Sequence, residues 1–383
     1  MKKLKAAIIG LGFIGESHIE AIHRIGICEL YAVFSNNRKK AHERAEFYNI
    51  PKCYDTIDEL LADPEIDVVH NCTPNRLHHE INCKILAAGK HLFSEKPLCG
   101  CYDDAKELLE LKKAHPELCA AVNFNYRMGP MLQEMRTRIK NGEIGDVRII
   151  TGSFLQDWLL YDTDYNWRLD PEFSGISCCV ADIGSHWMDA VQYATGHRIT
   201  KVMADLETVV PVRKKPKNAN ITFTSEVPDE FEEVEIKNED YAAVMFKTDK
   251  GARGMFCVSE LSPGHGCDLD FEVDGSKASL CWHQEDGEKL WMGHRDGDNR
   301  LIVRDPNGMS PEARAYASLA KGHPEGWNDA FKSNFLSFYR YIADGMQGEP
   351  QFATLEQAAY IVKLTEAIVK SSREQRWIEV DKL

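Results

Sequence analysis

The chain has 383 residues, 43% of them hydrophobic and 28% charged, a composition that excludes a disordered or fibrous protein and makes two globular domains the default. Its 46 basic and 60 acidic residues leave a net charge of −14, with no basic stripe of the kind that binds nucleic acid. No stretch approaches about 18 consecutive apolar residues, so no membrane span is expected.

The first residues, Met1 to Gly10, are basic and then apolar. The apolar run is too short for a secretion signal and meets a glycine-rich turn, so it reads as a strand. The twelve cysteines are scattered and form no C-x-x-C pair. No metal site is therefore expected, and a cytoplasmic location with reduced thiols is.

Residues 4–9 read as the first strand, closed by Gly10-Leu11-Gly12-Phe13-Ile14-Gly15, with a helix to about residue 24. A second strand at 29–34 leads to a helix at 38–48, and a third at 67–72 to a helix at 76–88 with Gly89 as its cap. A strand at 90–94, a helix at 103–114 and a strand at 119–123 close the series. This alternation predicts a parallel, doubly wound sheet over residues 1–123.

G-x-G-x-x-G carries weight because it follows a strand and opens a helix. Gly10 permits the tight turn, Gly12 lets a pyrophosphate approach the backbone, and Gly15 lets helix and sheet pack closely. Phe13 and Ile14 lie in the same turn. At the end of the second strand stands Ser35-Asn36-Asn37-Arg38, where an NAD site usually has a carboxylate for the ribose. With none to repel a 2′-phosphate, and with Ser35 and Arg38 able to hold one, NADP is favoured over NAD. In the alternative, Arg38 is an exposed helix start and NAD is held through Ser35 and Asn36. Cys72-Thr73-Pro74-Asn75 and Ser94-Glu95-Lys96-Pro97 end two further strands and are expected to face the cofactor, with His78 beside the nicotinamide or as a cap.

These motifs, with Asp182-Ile183-Gly184-Ser185-His186 further on, resemble the Gfo/Idh/MocA oxidoreductases, the glucose–fructose oxidoreductase and inositol dehydrogenase family. Asn123-Phe124-Asn125-Tyr126-Arg127, Gln156-Asp157-Trp158 and Asn166-Trp167-Arg168 look most like sugar dehydrogenases of the levoglucosan dehydrogenase type. The resemblance implies a Rossmann domain followed by an α/β domain, residues 124–383, whose open, mainly antiparallel sheet also serves oligomerisation. A homo-oligomer, dimer or tetramer, follows from it, as does a cis Lys96-Pro97 bond. Cys178-Cys179 departs from the family's glycine- and alanine-rich approach to Asp182.

In the second domain, a helix is expected at 130–141, a strand at 147–155, a helix at 182–195, and strands at 201–209, 241–248, 254–259, 269–273 and 278–282. Residues 211–240 read as an insertion or mobile loop, with the acidic run 229–235 solvated, and 296–326 as irregular. A helix at 328–345 and a capping box at Thr354 opening a last helix complete the chain.

Asp182 and His186, four apart, share a helix face. With the family resemblance, Lys96, His186 and Asp182 are the catalytic candidates. Hydride passes between a sugar, polyol or glycoside carbinol and nicotinamide. His186 takes the hydroxyl proton, Lys96 shares it or holds the oxygen, and Asp182 orients the ring or a neighbouring hydroxyl. Tyr126, Gln156, Trp158 and His323 are substrate candidates, and Trp167 and Arg168 lie toward cofactor or substrate; core packing is the alternative for both tryptophans. Two other functions fit the same motifs: an NAD-dependent glycosidase with a transient 3-keto intermediate, and a non-catalytic dinucleotide sensor.

Overall fold

The computed structural model describes residues 3–217 and 230–383. The chain divides into two compact units. One holds the residues up to Met128 with Gly326–Tyr360, the other Gly129–Glu325 with Ile361–Leu383.

In the first unit, β1 (Leu4–Ile9), β2 (Cys28–Phe34), β3 (Lys52–Cys53), β4 (Val68–Asn71), β5 (His91–Ser94) and β6 (Ala120–Val122) pair in parallel in the order β6-β5-β4-β1-β2-β3. The strand Ala353–Thr354 adds to β6 antiparallel. Ala6, Ala7, Ile8 and Ile9 are all fully buried, as a parallel sheet covered on both faces requires. The strand order reverses between β1 and β4, and the ligand crevice of such a sheet opens there, beyond the carboxyl ends of the strands. The two-residue β3 and the helix Ile57–Ala62 were not expected. A strand of two residues is too short to show a period, and the helix is announced only by its cap, Thr56, whose hydroxyl accepts from Glu59 N at 3.1 Å.

The helix Trp327–Ala343 belongs to this first unit, not to a second domain running unbroken from 124. Its stripe of Phe331, Phe335, Phe338 and Tyr339 is buried, with Phe335 and Phe338 edge-on to Phe93 of β5. The apolar spacing shows that a helix has a buried face, but not which sheet it covers.

The second unit is built on a nine-stranded open sheet. Its strands are β7 (Val147–Leu155), β8 (Ile199–Glu207), β11 (Tyr241–Thr248), β12 (Arg253–Ser259), β13 (Asp268–Gly275), β14 (Ser279–His283), β15 (Lys289–Gly293) and β16 (Arg300–Val303), with Ile378–Glu379 at one edge. Every pair is antiparallel except β7 with β12. Trp187, fully buried on the helix Ser185–Thr195, stacks on Phe256 of β12 with ring centroids 4.3 Å apart.

Two stretches expected to be irregular are ordered by buried arginines. In 211–240, β9 (Val212–Pro216) and β10 (Phe231–Glu235) form an antiparallel ladder; residues 218–229, and with them the start of the acidic run, lie outside the described residues. Lys214 faces Glu233 and Lys215 faces Glu232 across this ladder. Opposite charges hold the pair where a core-facing strand would alternate apolar residues, so hydrophobic periodicity is silent. Arg213, fully buried, donates to Tyr161 O, Asp164 O and Asp240 Oδ2 at 2.8–3.1 Å. In 296–326, Arg304 is equally buried, makes two bonds to Glu288 and bonds the carbonyls of Leu319, Ala320 and His323.

Candidate active site

The three glycines after β1 differ in what surrounds them. Gly10 has φ +98°, and a Cβ there would lie 2.6 Å from Cys72 O. A Cβ on Gly15 would lie 2.2 Å from Gly10 O. Both are demanded by the turn itself. A Cβ on Gly12 would meet nothing within 4 Å. Gly12 is the N-cap of the helix Phe13–Ile25 and offers no side-chain acceptor to its first turn. Open space before a helix N-terminus suits a phosphate, so these residues fit a dinucleotide. Phe13 is 67% exposed and stacks loosely on Trp327, while Ile14 is half-buried.

Cys72–Asn75 follow β4 on the other side of the switch point. The Asn71 carboxamide accepts from Thr73 Oγ1 at 2.7 Å and shapes this turn, while Pro74 is exposed. At the end of β2, Ser35 is half-buried and Asn36 and Arg38 are exposed. Asn37 caps the next helix by accepting from Lys40 N, and Arg38 pairs with Asp55 at 3.4 Å.

Beyond β5, the Lys96–Pro97 bond is cis and Lys96 is half-buried. Glu95, expected to face the cofactor, is instead turned inward. It is buried, with Oε1 receiving His18 Nε2 at 2.8 Å and Asn123 Nδ2 at 2.5 Å, and Oε2 receiving Lys96 N at 3.2 Å. The chain of contacts continues from His18 Nδ1 to His70 Nδ1 at 2.9 Å and from His70 Nε2 to the Tyr339 hydroxyl at 2.8 Å. Burial would raise the Glu95 pKa, but the His18 hydrogen bond, Asn123 and the nearby Lys96 charge outweigh it, and Glu95 is held below the usual range. Burial, reinforced by His18, pushes His70 well down, in keeping with a neutral ring.

His78 is likewise turned inward. It is fully buried, and its ring nitrogens face Pro97 O at 2.6 Å and Thr73 O at 2.7 Å. Burial lowers its pKa while the two carbonyls work against that. It ties the end of β4 to the turn after Lys96 and has no polar atom left for a cofactor. Tyr126 is buried in the 3-10 turn Asn125–Met128.

In the second unit, the Asp182–His186 segment is not one α-helix. Val180–Gly184 is a π-helical turn running into the α-helix Ser185–Thr195. Such turns recur at functional sites and have no apolar period to betray them. The turn is anchored by the buried Glu239, which accepts from Ser177 Oγ at 2.5 Å and Val180 N at 3.0 Å. Asp182 lies 3.4 Å from Arg168, whose guanidinium covers the Trp167 ring at 4.5 Å. His186 is 8% exposed beside Phe154.

Behind Asp182 stands Glu260, fully buried. Burial, the Asp182 charge and Glu239 push its pKa well up against the pull of Arg168, and Cys178 Sγ is its hydrogen-bond donor at 3.5 Å. Sequence reasoning missed both Glu239 and Glu260, because single glutamates at strand ends carry no signal of burial. Cys178 and Cys179 are buried, and burial raises both thiols well above their usual range, so they pack and do not react. Trp158 donates to Gln156 Oε1 at 2.9 Å and packs on the cluster of Leu159, Leu169, Cys178 and Ile236. His323 is exposed, on the segment that Arg304 holds.

Residues 4–124 match the model of an oxidoreductase family with an NAD-binding Rossmann fold, and residues 132–281 match that of the GFO/IDH/MocA C-terminal domain. Levoglucosan dehydrogenase of Pseudarthrobacter phenanthrenivorans is 26% identical over all of both chains. Myo-inositol 2-dehydrogenase of Thermotoga maritima is 24% identical over 99% of each. Among solved structures, an oxidoreductase domain protein from Kribbella flavida superposes with a TM-score of 0.88 at 26% identity, covering 99% of this chain and 100% of that one. A levoglucosan dehydrogenase in complex with NADH and L-sorbose shares the fold at a TM-score of 0.89 and 24% identity, covering 99% of each.

Proposed function

The chain belongs to the Gfo/Idh/MocA family of oxidoreductases, and from this premise we propose that it oxidises or reduces a secondary alcohol of a cyclic sugar, polyol or glycoside, with Lys96 at the reacting oxygen. The carrying observation is the position of Lys96. It follows the carboxyl end of β5, next to β4 at the switch point, while its neighbour Glu95 is locked inward and cannot compete for the same space.

The nicotinamide, when bound, takes or gives the hydride. Gly12 and the start of the helix Phe13–Ile25 hold the pyrophosphate, and the turn at 72–75 borders the nucleotide. His186 accepts the hydroxyl proton, being the side chain whose ordinary pKa lies nearest neutrality. Lys96 shares the oxygen and stabilises negative charge as it develops. Asp182, paired with Arg168, orients the sugar. Tyr126, Gln156 and Trp158 complete the substrate shell. The names of the relatives support a sugar or polyol as the substrate class.

Lys96→Met is expected to reduce kcat by about 10³-fold or more with cofactor affinity nearly unchanged, measured by nicotinamide absorbance and by binding titration. Near-normal turnover would end the proposal. A panel of sugars and glycosides with both cofactors names the substrate, and sugar release without net cofactor reduction would identify the glycosidase chemistry instead.

For the cofactor, we favour NADP: no carboxylate occurs from Ser35 to Lys40, although Asp55 beside Arg38 counters this. Arg38→Ala should raise KM for NADP about tenfold and leave KM for NAD unchanged; equal effects on both would assign NAD. A homo-oligomer is supported by Ile149, Met245 and Met255, each more than 40% exposed on the second sheet. Light scattering decides it.

A further inference from the structure

The helices His78–Ala87 and Tyr102–Ala114 of the first unit pack against each other and flank β5 and the turn that carries Lys96. His79 and Cys83 are four apart on the first, and Asp104 and Glu107 three apart on the second. Each pair therefore shares one helix face. One ligand atom each from His79, Cys83 and Glu107 lies within 4.8 Å of the other two. No lysine or arginine is paired with Asp104 or Glu107 among the described ion pairs; their partner there is His79.

We propose that His79, Cys83 and Glu107 form a binding site for a zinc-like divalent cation, with Asp104 as the orienting residue. Three features carry it. The His79 Nε2 atom is shut off from solvent and makes no hydrogen bond, although Glu107 Oε2 stands 3.2 Å away. That separation is close to the roughly 3.3 Å between ligand atoms on a tetrahedron with bonds of about 2.0–2.1 Å. The other ring nitrogen, Nδ1, faces Asp104 at 4.0 Å. A carboxylate behind the second nitrogen is the usual device for turning a histidine's lone pair toward a metal. The third feature is Cys83 itself, half-buried, which brings a sulfur ligand to within 4.8 Å of the other two ligand atoms.

A nitrogen, a sulfur and an oxygen ligand select a borderline-soft first-row ion over magnesium or calcium, which take oxygen. Binding forms one bond from each of the three residues to the cation and leaves a fourth position for water. The Cys83 S–H bond breaks, and its proton, with any proton on His79 Nε2, goes to solvent. Carboxylate and thiolate together balance the two positive charges. Such an ion would staple together the helix that precedes β5 in the chain and the helix that follows it.

The test uses the full-length protein, freed of metal by chelator and titrated with Co²⁺. One equivalent should give the intense visible bands of a four-coordinate ion and a near-ultraviolet thiolate-to-cobalt band, with release of about one proton. Zn²⁺ should displace it and raise Tm. Cys83→Ser should abolish the near-ultraviolet band and the rise in Tm, and His79→Gln and Glu107→Gln should each weaken binding at least about tenfold. Circular dichroism shows whether each variant is folded, and Cys53→Ser, elsewhere in the same unit, should bind as the wild type does. Absence of the band in the wild-type protein, or its persistence in Cys83→Ser, overturns the proposal.

Discussion

Glu95 and Glu260 are the same residue type, both buried, each beside a proposed catalytic group, yet they are held in opposite states. Glu95 accepts from His18, Asn123 and the Lys96 backbone, and is kept ionised. Glu260 has Cys178 as its donor at 3.5 Å, its Oε1 makes no hydrogen bond among the described residues, and Asp182 and Glu239 crowd it with negative charge, so it is kept protonated. Burial is common to both. The difference is the supply of donors, which decides whether a carboxylate can stay charged away from water.

Glu95→Ala tests the first half of this comparison and has the largest expected effect. It leaves His18 and Asn123 facing an empty space and should destabilise the protein by about 3–5 kcal/mol, read from urea unfolding. Glu95 has a lowered pKa in the fold, so its contribution is fully present above the unfolded value near 4.3 and is lost as pH falls through the folded one. The loss caused by the substitution should therefore shrink in acid. A deficit independent of pH would mean that Glu95 is not the anion described.

His70→Leu comes next, at about 2 kcal/mol near pH 7.5, because it leaves the buried His18 Nδ1 without its partner and takes one of its partners from the Tyr339 hydroxyl. His70 is held neutral in the fold, so an unfolded chain gains a proton there as pH drops below about 6.5. Wild-type stability should fall in that window by up to about 1.4 kcal/mol per pH unit on this account, and the variant should lack that slope.

Glu260→Gln is the smallest effect and has the opposite sign. A raised folded pKa means that wild-type stability declines as pH rises above the unfolded value near 4.3. The variant should match wild type at pH 4 and exceed it by about 1 kcal/mol at pH 7. A variant less stable at pH 7 than at pH 4, relative to wild type, would place a charge on Glu260 and erase the contrast with Glu95.

Much of the fold was legible because its signals are local. The Gly10–Gly15 turn, the buried run of β1, Gly89 at a positive φ of 72° and the Thr354–Gln357 capping box each announce themselves within a few residues. The β9–β10 ladder was not legible, since its pairing rests on charge across the strands. The π turn at Val180–Gly184 was not either, because a single widened turn leaves the apolar spacing on both sides intact.

By itself the sequence determined most of the strand–helix alternation of the first unit, the glycine cradle, and which residue types stand at the strand ends: all follow from short-range sterics and periodicity. Only the tertiary structure decided that Glu95 and His78 turn inward, that Glu260 sits uncharged behind Asp182, and that a helix from residue 327 covers the first sheet. Each of those depends on partners far away in the chain, His18 and Asn123 for Glu95. The electrostatic fate of a buried group is set by what surrounds it in space, which no spacing along the chain encodes.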